Sequence, residues 1–153
     1  MDLILWRHAE AFEQAPDGDD LARTLTPKGE KQAQRMAAWL DRQLPEGARI
    51  VSSPAVRCEQ TVRALGRKYT RSDDLGPEST PQALLSLARW PKYKGSVLIV
   101  GHQPVLGQTI AQLLQLPQPE FAVRKAAVWW LRYRERDHGS HAVVVAVQSP
   151  ELL

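Results

Sequence analysis

Two histidines and two arginines fall in short runs whose types suit a single reaction: Arg7-His8, Ser52-Ser53-Pro54 with Arg57 three residues further on, and Gly101-His102. A histidine can act as a nucleophile and carry a covalent phosphoryl group. Guanidinium groups suit a phosphate because their planar fork donates two hydrogen bonds at once and keeps its charge. Transfer of a phosphoryl group needs mainly positioning and stabilisation of charge on the equatorial oxygens. The attacking histidine must be neutral. An unperturbed imidazole titrates at about 6.5, and neighbouring guanidinium groups disfavour a second positive charge. Arg7 and Arg57 are therefore expected to keep His8 free to attack, while His102, if protonated, can donate to the phosphate. Taken singly, a histidine after a strand is usually a satisfied structural group, and an arginine early in a helix a solvated charge. The set of three is what favours chemistry.

These runs need elements that bring them to one place. Leu3-Ile4-Leu5-Trp6, Arg49-Ile50-Val51-Ser52 and Val97-Leu98-Ile99-Val100 read as buried strands, and each run stands directly after one of them. In open α/β sheets ligands bind beyond the carboxyl ends of the strands. Between the strands, Thr26-Pro27 caps a helix over about 27 to 44, Ser53 caps a second from Pro54 to Gly66, Thr80-Pro81 starts a third, and Pro104 opens a fourth. The helix starts at Pro54 and Pro104 would add oriented amides. Residues 9 to 25 and 67 to 80 read as irregular. Ala126 to Tyr133 and His141 to Val147 read as strands flanking a polar turn from Glu135 through Asp137 and His138 to Ser140. Strands alternating with helices indicate helices on both faces of a mostly parallel sheet.

The chain has 153 residues, 20 of them Lys or Arg and 17 Asp or Glu, for a formal net charge of +3. That length suits one domain, residues 1–153, with its own core. With 43% hydrophobic and 24% charged residues, disordered, fibrous and membrane classes are excluded. The small charge excess does not favour nucleic acid. The single cysteine, Cys58, rules out an internal disulfide framework and a Cys-rich zinc site. Neither a targeting segment nor a stretch near the roughly 20 apolar residues of a membrane span is seen, so a cytoplasmic protein is expected.

Four segments carry a family resemblance. Leu5-Trp6-Arg7-His8-Ala9-Glu10 resembles the Arg-His-Gly/Ala signature of the histidine phosphatase superfamily, also called phosphoglycerate mutase-like. Leu25-Thr26-Pro27-Lys28-Gly29 with Gln32-Ala33, Ser52-Ser53-Pro54-Ala55-Val56-Arg57-Cys58-Glu59-Gln60-Thr61, and Val100-Gly101-His102-Gln103-Pro104 are similar to its three further motifs, in the same order. The short length and the Gly-His-Gln-Pro-x-x-Gly motif most resemble the compact SixA-type phosphohistidine phosphatases. The resemblance implies a three-layer α/β/α sandwich with a mostly parallel central sheet and an antiparallel C-terminal strand. It implies His8 as the phosphorylated nucleophile, with Arg7, Arg57 and His102 forming the phosphate pocket and Ser53 beside them. Arg23 stands where SixA-type proteins also carry an arginine. Glu78 lies in a loop comparable to the one that supplies the proton donor in larger relatives; read on its own, it is a surface glutamate near a helix start, where negative charge is favourable. The family needs neither metal nor cofactor. The expected partner is a phosphorylated protein, with a histidine-containing phosphotransfer domain as one candidate, and neither nucleic acid nor membrane. The chain is expected to be a monomer.

Other signals carry less. Cys58 and Arg63 are one residue short of a cysteine-phosphatase spacing and fall inside an expected helix. His138 and His141 near Asp137 are too few for zinc. Trp129 and Trp130 are adjacent on a strand and point to opposite faces, one into the core and the other over a helix seam or interface. The leading function is a phosphohistidine phosphatase. A small-molecule phosphomonoester phosphatase, or a non-catalytic phosphate- or nucleic-acid-binding module, is the alternative. Compactness favours a protein substrate, because a chain of this length leaves little room for segments that roof a small-molecule site.

Overall fold

The computed structural model describes residues 1–136 and 139–153. Asp137 and His138, in the turn expected before the last strand, lie outside the described residues. Six strands form one sheet: β1 (Asp2–Arg7), β2 (Arg49–Ser52), β3 (Thr70–Arg71), β4 (Ser96–Gly101), β5 (Val128–Arg136) and β6 (Gly139–Gln148). Their order across the sheet is β3-β2-β4-β1-β5-β6. The first four are mutually parallel, β5 runs antiparallel to β1, and β6 antiparallel to β5. The topology is that of the phosphoglycerate mutase-like α/β/α sandwich.

Both faces of the central strands are buried, which is why they read as continuous apolar runs rather than alternating ones. On β1 and β4, Ile4, Trp6, Leu98 and Val100 face one helical layer, which supplies Met36 and Leu40 from α1 (Pro27–Gln43) and Cys58 and Val62 from α2 (Val56–Arg63). Leu3, Leu5, Val97 and Ile99 face the other layer. That layer supplies Leu84 and Ala88 from α3 (Pro81–Ala88) and Leu106 and Ile110 from α4 (Val105–Leu113). Among the described residues no helix is long and apolar enough to cross a membrane.

The Thr-Pro starts behave as expected: Thr26 Oγ1 accepts from Gly29 N–H and Thr80 Oγ1 from Ala83 N–H. Elsewhere the elements depart from expectation. The second helix runs from Val56 to Arg63, not from Pro54 to Gly66, and Ser53 does not cap it. The Ser53 hydroxyl accepts instead from Ala55 N–H, at 3.2 Å, and meets a histidine ring. The segment 67–80 holds the short strand β3 and a 3-10 turn at Asp73–Leu75, and the 9–25 loop holds another at Asp20–Ala22. Ala126 does not begin the fifth strand but sits in the left-handed region, with φ of 62°. Its main chain must turn to meet two partners: its N–H donates to His8 O at 3.2 Å, and its carbonyl accepts from Trp6 Nε1 at 3.0 Å. The tryptophan pair divides as expected. Trp130 is buried with α1 and α2, while half-buried Trp129 packs edge to face on Phe121 on the opposite side, ring centroids 4.8 Å apart.

Candidate active site

The strand register assembles the site. Arg7 pairs with Gly101 across β1 and β4, and Ser52 pairs with Val100 across β2 and β4. The residues that follow, His8, His102 and Ser53, therefore leave three neighbouring strands at one level. Main-chain bonds lock this edge, from His8 N–H to Gly101 O at 3.1 Å and from Ser53 N–H to Val100 O at 2.9 Å. Arg57, on the first turn of α2, is buried against the same edge.

Motif residues that do no chemistry hold the chain just past His8. Thr61 Oγ1 accepts from Ala9 N–H at 3.0 Å, and Gln32 Oε1 from Glu10 N–H at 3.0 Å. Thr26 donates to the Glu10 carboxylate at 2.8 Å, and Gln60 Oε1 accepts from Leu25 N–H at 2.7 Å. Gly29 has to be glycine because a Cβ there would strike the carbonyl of Glu10. Gly107 is under the same constraint from Phe121 O. Gln103 ties the two together by donating to Phe121 O at 2.8 Å and accepting from Gly107 N–H at 2.7 Å. Two residues beyond Phe121, Val123 O accepts from Arg7 Nη1 at 2.8 Å and so orients that guanidinium.

His8 and His102 meet edge to face. His8 Nδ1 lies 2.7 Å from Ala9 O. A carbonyl can only accept, so Nδ1 carries the hydrogen and Nε2 keeps its lone pair. Burial leads in pushing His8 down to about 3, with help from His102, Arg57 and Arg7. Charge repulsion from the arginines, expected to keep it neutral, is thus secondary to desolvation. His102 is lowered to about 4 by burial and then by Arg57. It is therefore neutral at pH 7 and not the protonated donor considered above. Its Nε2 lies 2.8 Å from Ser53 Oγ, and its Nδ1 3.4 Å from Arg57 Nη2. Since a guanidinium only donates, Nδ1 accepts and the hydrogen sits on Nε2, directed at Ser53. The Cys58 thiol, 3.5 Å from His102 Nε2, is pushed up to about 12 by burial and stays protonated.

The guanidinium groups are the unbalanced part of the cluster. Arg7 and Arg57 each bury an Nε with no hydrogen-bond partner, which is costly unless something else compensates. Arg57 donates through Nη1 to Asp20 O at 2.7 Å and through Nη2 to Asp20 Oδ2 at 3.1 Å. Arg23 joins from the loop, with Nη1 3.1 Å from Asp20 Oδ1 and Nε donating to Phe12 O at 2.6 Å. Arg7, His8, Ser53, Arg57 and His102 are thus brought together, with Arg23 at their border through Asp20. Glu78 is exposed and lines an adjoining cleft of about 610 Å³ with Asp20, Asp73 and Asp74. Asp20 escaped the sequence reading because the loop carries several acidic residues whose spacing does not distinguish one from another. The carbonyls of Ala9 and Val123 escaped because a main-chain acceptor leaves no trace in residue type.

Such a cluster offers a neutral imidazole with a free Nε2 beside cationic forks. Among the described residues no group of three His, Cys, Asp or Glu side chains is placed to hold a metal. A site of this make-up at the carboxyl edge of this sheet is that of a phosphatase. The family model described as histidine phosphatase superfamily (branch 1) matches residues 3–75. The chain is 32% identical over 121 residues to phosphohistidine phosphatase SixA of Escherichia coli (strain K12), covering 74% of each protein. It is 30% identical over 128 residues to the SixA homolog of Haemophilus influenzae, covering 74% of this chain and 77% of the relative. The fold matches a solved structure of the protein histidine phosphatase SixA complexed with tungstate, with a TM-score of 0.81, 24% identity and 99% of each chain covered. The chain belongs to the histidine phosphatase superfamily.

Proposed function

We propose that this enzyme removes the phosphoryl group from a phosphohistidine on a protein, a histidine-containing phosphotransfer domain being the partner class, and passes it to water through His8. The observation that carries this reading is the convergence of the Arg7 and Arg57 guanidinium groups on a neutral His8 at the carboxyl edge of the sheet. Two guanidinium groups held in fixed positions suit the equatorial oxygens of a transferring phosphoryl group. In the first step His8 Nε2 bonds to phosphorus as the bond to the leaving nitrogen breaks. In the second, water attacks the phosphoryl-His8 intermediate, and orthophosphate leaves with His8 regenerated. His102 and Ser53 line the pocket and hold its edge. Glu78 is the carboxyl offered to leaving groups that need a proton; a leaving imidazole takes one readily.

The names of the two curated relatives support phosphohistidine over a small phosphate ester. We take residues 1–153 to work as one monomeric cytoplasmic domain. The test is an assay of purified protein on a phosphohistidine protein and on p-nitrophenyl phosphate, with EDTA present. His8→Ala should abolish both activities, and an acid-labile phosphoryl group should be trapped on His8 of the wild type. Turnover surviving in His8→Ala would sink the mechanism, and faster turnover of small esters would shift the substrate to that class.

A further inference from the structure

Asp20 places a carboxylate on the same guanidinium that must receive the phosphoryl group. Its side chain is 56% exposed, whereas that of Arg57 is 4% exposed, so the acid can swing into solvent and the base cannot. Arg57 is also held twice by this one residue, through the main-chain carbonyl at 2.7 Å and through the carboxylate at 3.1 Å. The carbonyl fixes the position of the guanidinium and would be present whatever residue stood at 20. What the side chain adds is negative charge. It adds it at a sensitive place, because Arg57 Nη2 also reaches His102 Nδ1, whose ring lies against His8. The same carboxylate neutralises Arg23 through its other oxygen. Among the described residues Asp20 is the one carboxylate within ion-pair distance of Arg57.

We propose that Asp20 is a resident anion of the phosphate pocket: its carboxylate occupies Arg57 and Arg23 when no phosphate is bound and is displaced by the incoming phosphoryl group. The inference rests on reading the cluster as a phosphoryl pocket. Displacing one anion by another lowers the affinity for all phosphates, the product included. Asp20 therefore weakens product inhibition and favours release of orthophosphate. A brace for Arg57 would act in the opposite sense, since removing it would loosen the guanidinium and weaken phosphate binding. A proton donor would leave phosphate affinity unchanged.

The experiment is a calorimetric titration of inorganic phosphate into the full chain as wild type, Asp20→Asn, Asp20→Ala and Asp20→Glu, each checked for folding by thermal melting. Asp20→Asn and Asp20→Ala should bind phosphate at least about threefold more tightly. Their KM for p-nitrophenyl phosphate should fall in the same ratio, and Asp20→Glu should return both values toward wild type. Unchanged or weaker phosphate binding in the folded Asn and Ala variants overturns the proposal. The titration needs no turnover, so an inactive wild type that binds phosphate refutes the phosphatase reading while the variants still decide the role of Asp20. Absence of phosphate binding in every protein overturns both.

Discussion

His8 and His102 lie edge to face with ring centroids 5.3 Å apart, because Arg7 and Gly101 are cross-strand partners in the parallel β1–β4 pair. Both rings are held neutral, His8 down to about 3 and His102 down to about 4. In the unfolded chain both take up protons as the pH falls through about 6.5. Between that value and the folded values the unfolded state binds more protons, so stability rises with pH across this window and is lost on acidification. Above about pH 7 the two rings add no slope. The melting temperature should fall steadily from pH 7 to pH 4, and His8→Gln should flatten part of that fall. An identical slope in the variant would show that His8 is not held neutral by the fold.

Arg57 offers two separate Nη donors and an unused Nε, a geometry that lysine cannot reproduce. Arg57→Lys is expected to lower kcat/KM by about 10- to 100-fold, and Arg57→Ala by about 1,000-fold. Steady-state kinetics on p-nitrophenyl phosphate would measure both. A lysine variant with wild-type rates would mean that charge alone suffices.

Glu78 lines the cleft beside Asp20 rather than the buried cluster itself, so its contribution should depend on the leaving group. Glu78→Gln is expected to slow hydrolysis of phenyl phosphate, whose leaving oxygen needs a proton, by about 100-fold. p-Nitrophenyl phosphate and phosphohistidine should lose little. Equal effects on all three substrates would remove Glu78 from the proton-donor role.

Gly29 lets the first turn of α1 lie directly against the carbonyl of Glu10, two residues beyond His8. Gly29→Ala forces that backbone to move, at a cost of about 1–3 kcal/mol. Because the displaced segment carries His8, activity should fall beyond what the lost stability accounts for. Urea unfolding and kcat measured on the residual folded fraction separate the two effects. Wild-type stability in the variant would disprove the close approach.

Much of this architecture is legible in residue order. The strands around Leu3–Trp6, Ile50–Val51 and Val97–Val100 declare themselves by apolar runs too short for helices. The caps at Thr26 and Thr80 follow from side-chain chemistry. Arg7, His8, Arg57 and His102 stand out because their runs all lie at the carboxyl ends of strands, Arg57 one helical turn further on. Less legible is whatever depends on long-range pairing. The β3 strand is two exposed residues, Thr70 and Arg71, with no apolar pattern, and it exists because β2 offers a free edge. Ser53 has the chemistry of a cap, and only the register of β2 with β4 reveals His102 as its partner. Ala126 adjoins the Val- and Trp-rich run and reads as part of its strand, but contact with His8 and Trp6 turns its main chain out of it.

Three of the site's side chains take their orientation from main-chain carbonyls: Arg7 from Val123, His8 from Ala9 and Arg57 from Asp20. A carbonyl is the same whatever residue bears it, so the orienting bond survives replacement at these positions as far as packing allows, although at Asp20 the side chain has a role of its own. Drift at them would go unnoticed in a comparison of residue identities. A one-residue deletion between Ala9 and Asp20, or near Val123, would misalign an arginine while leaving every reactive group in place. In this enzyme the length of these loops carries information that their residue types do not.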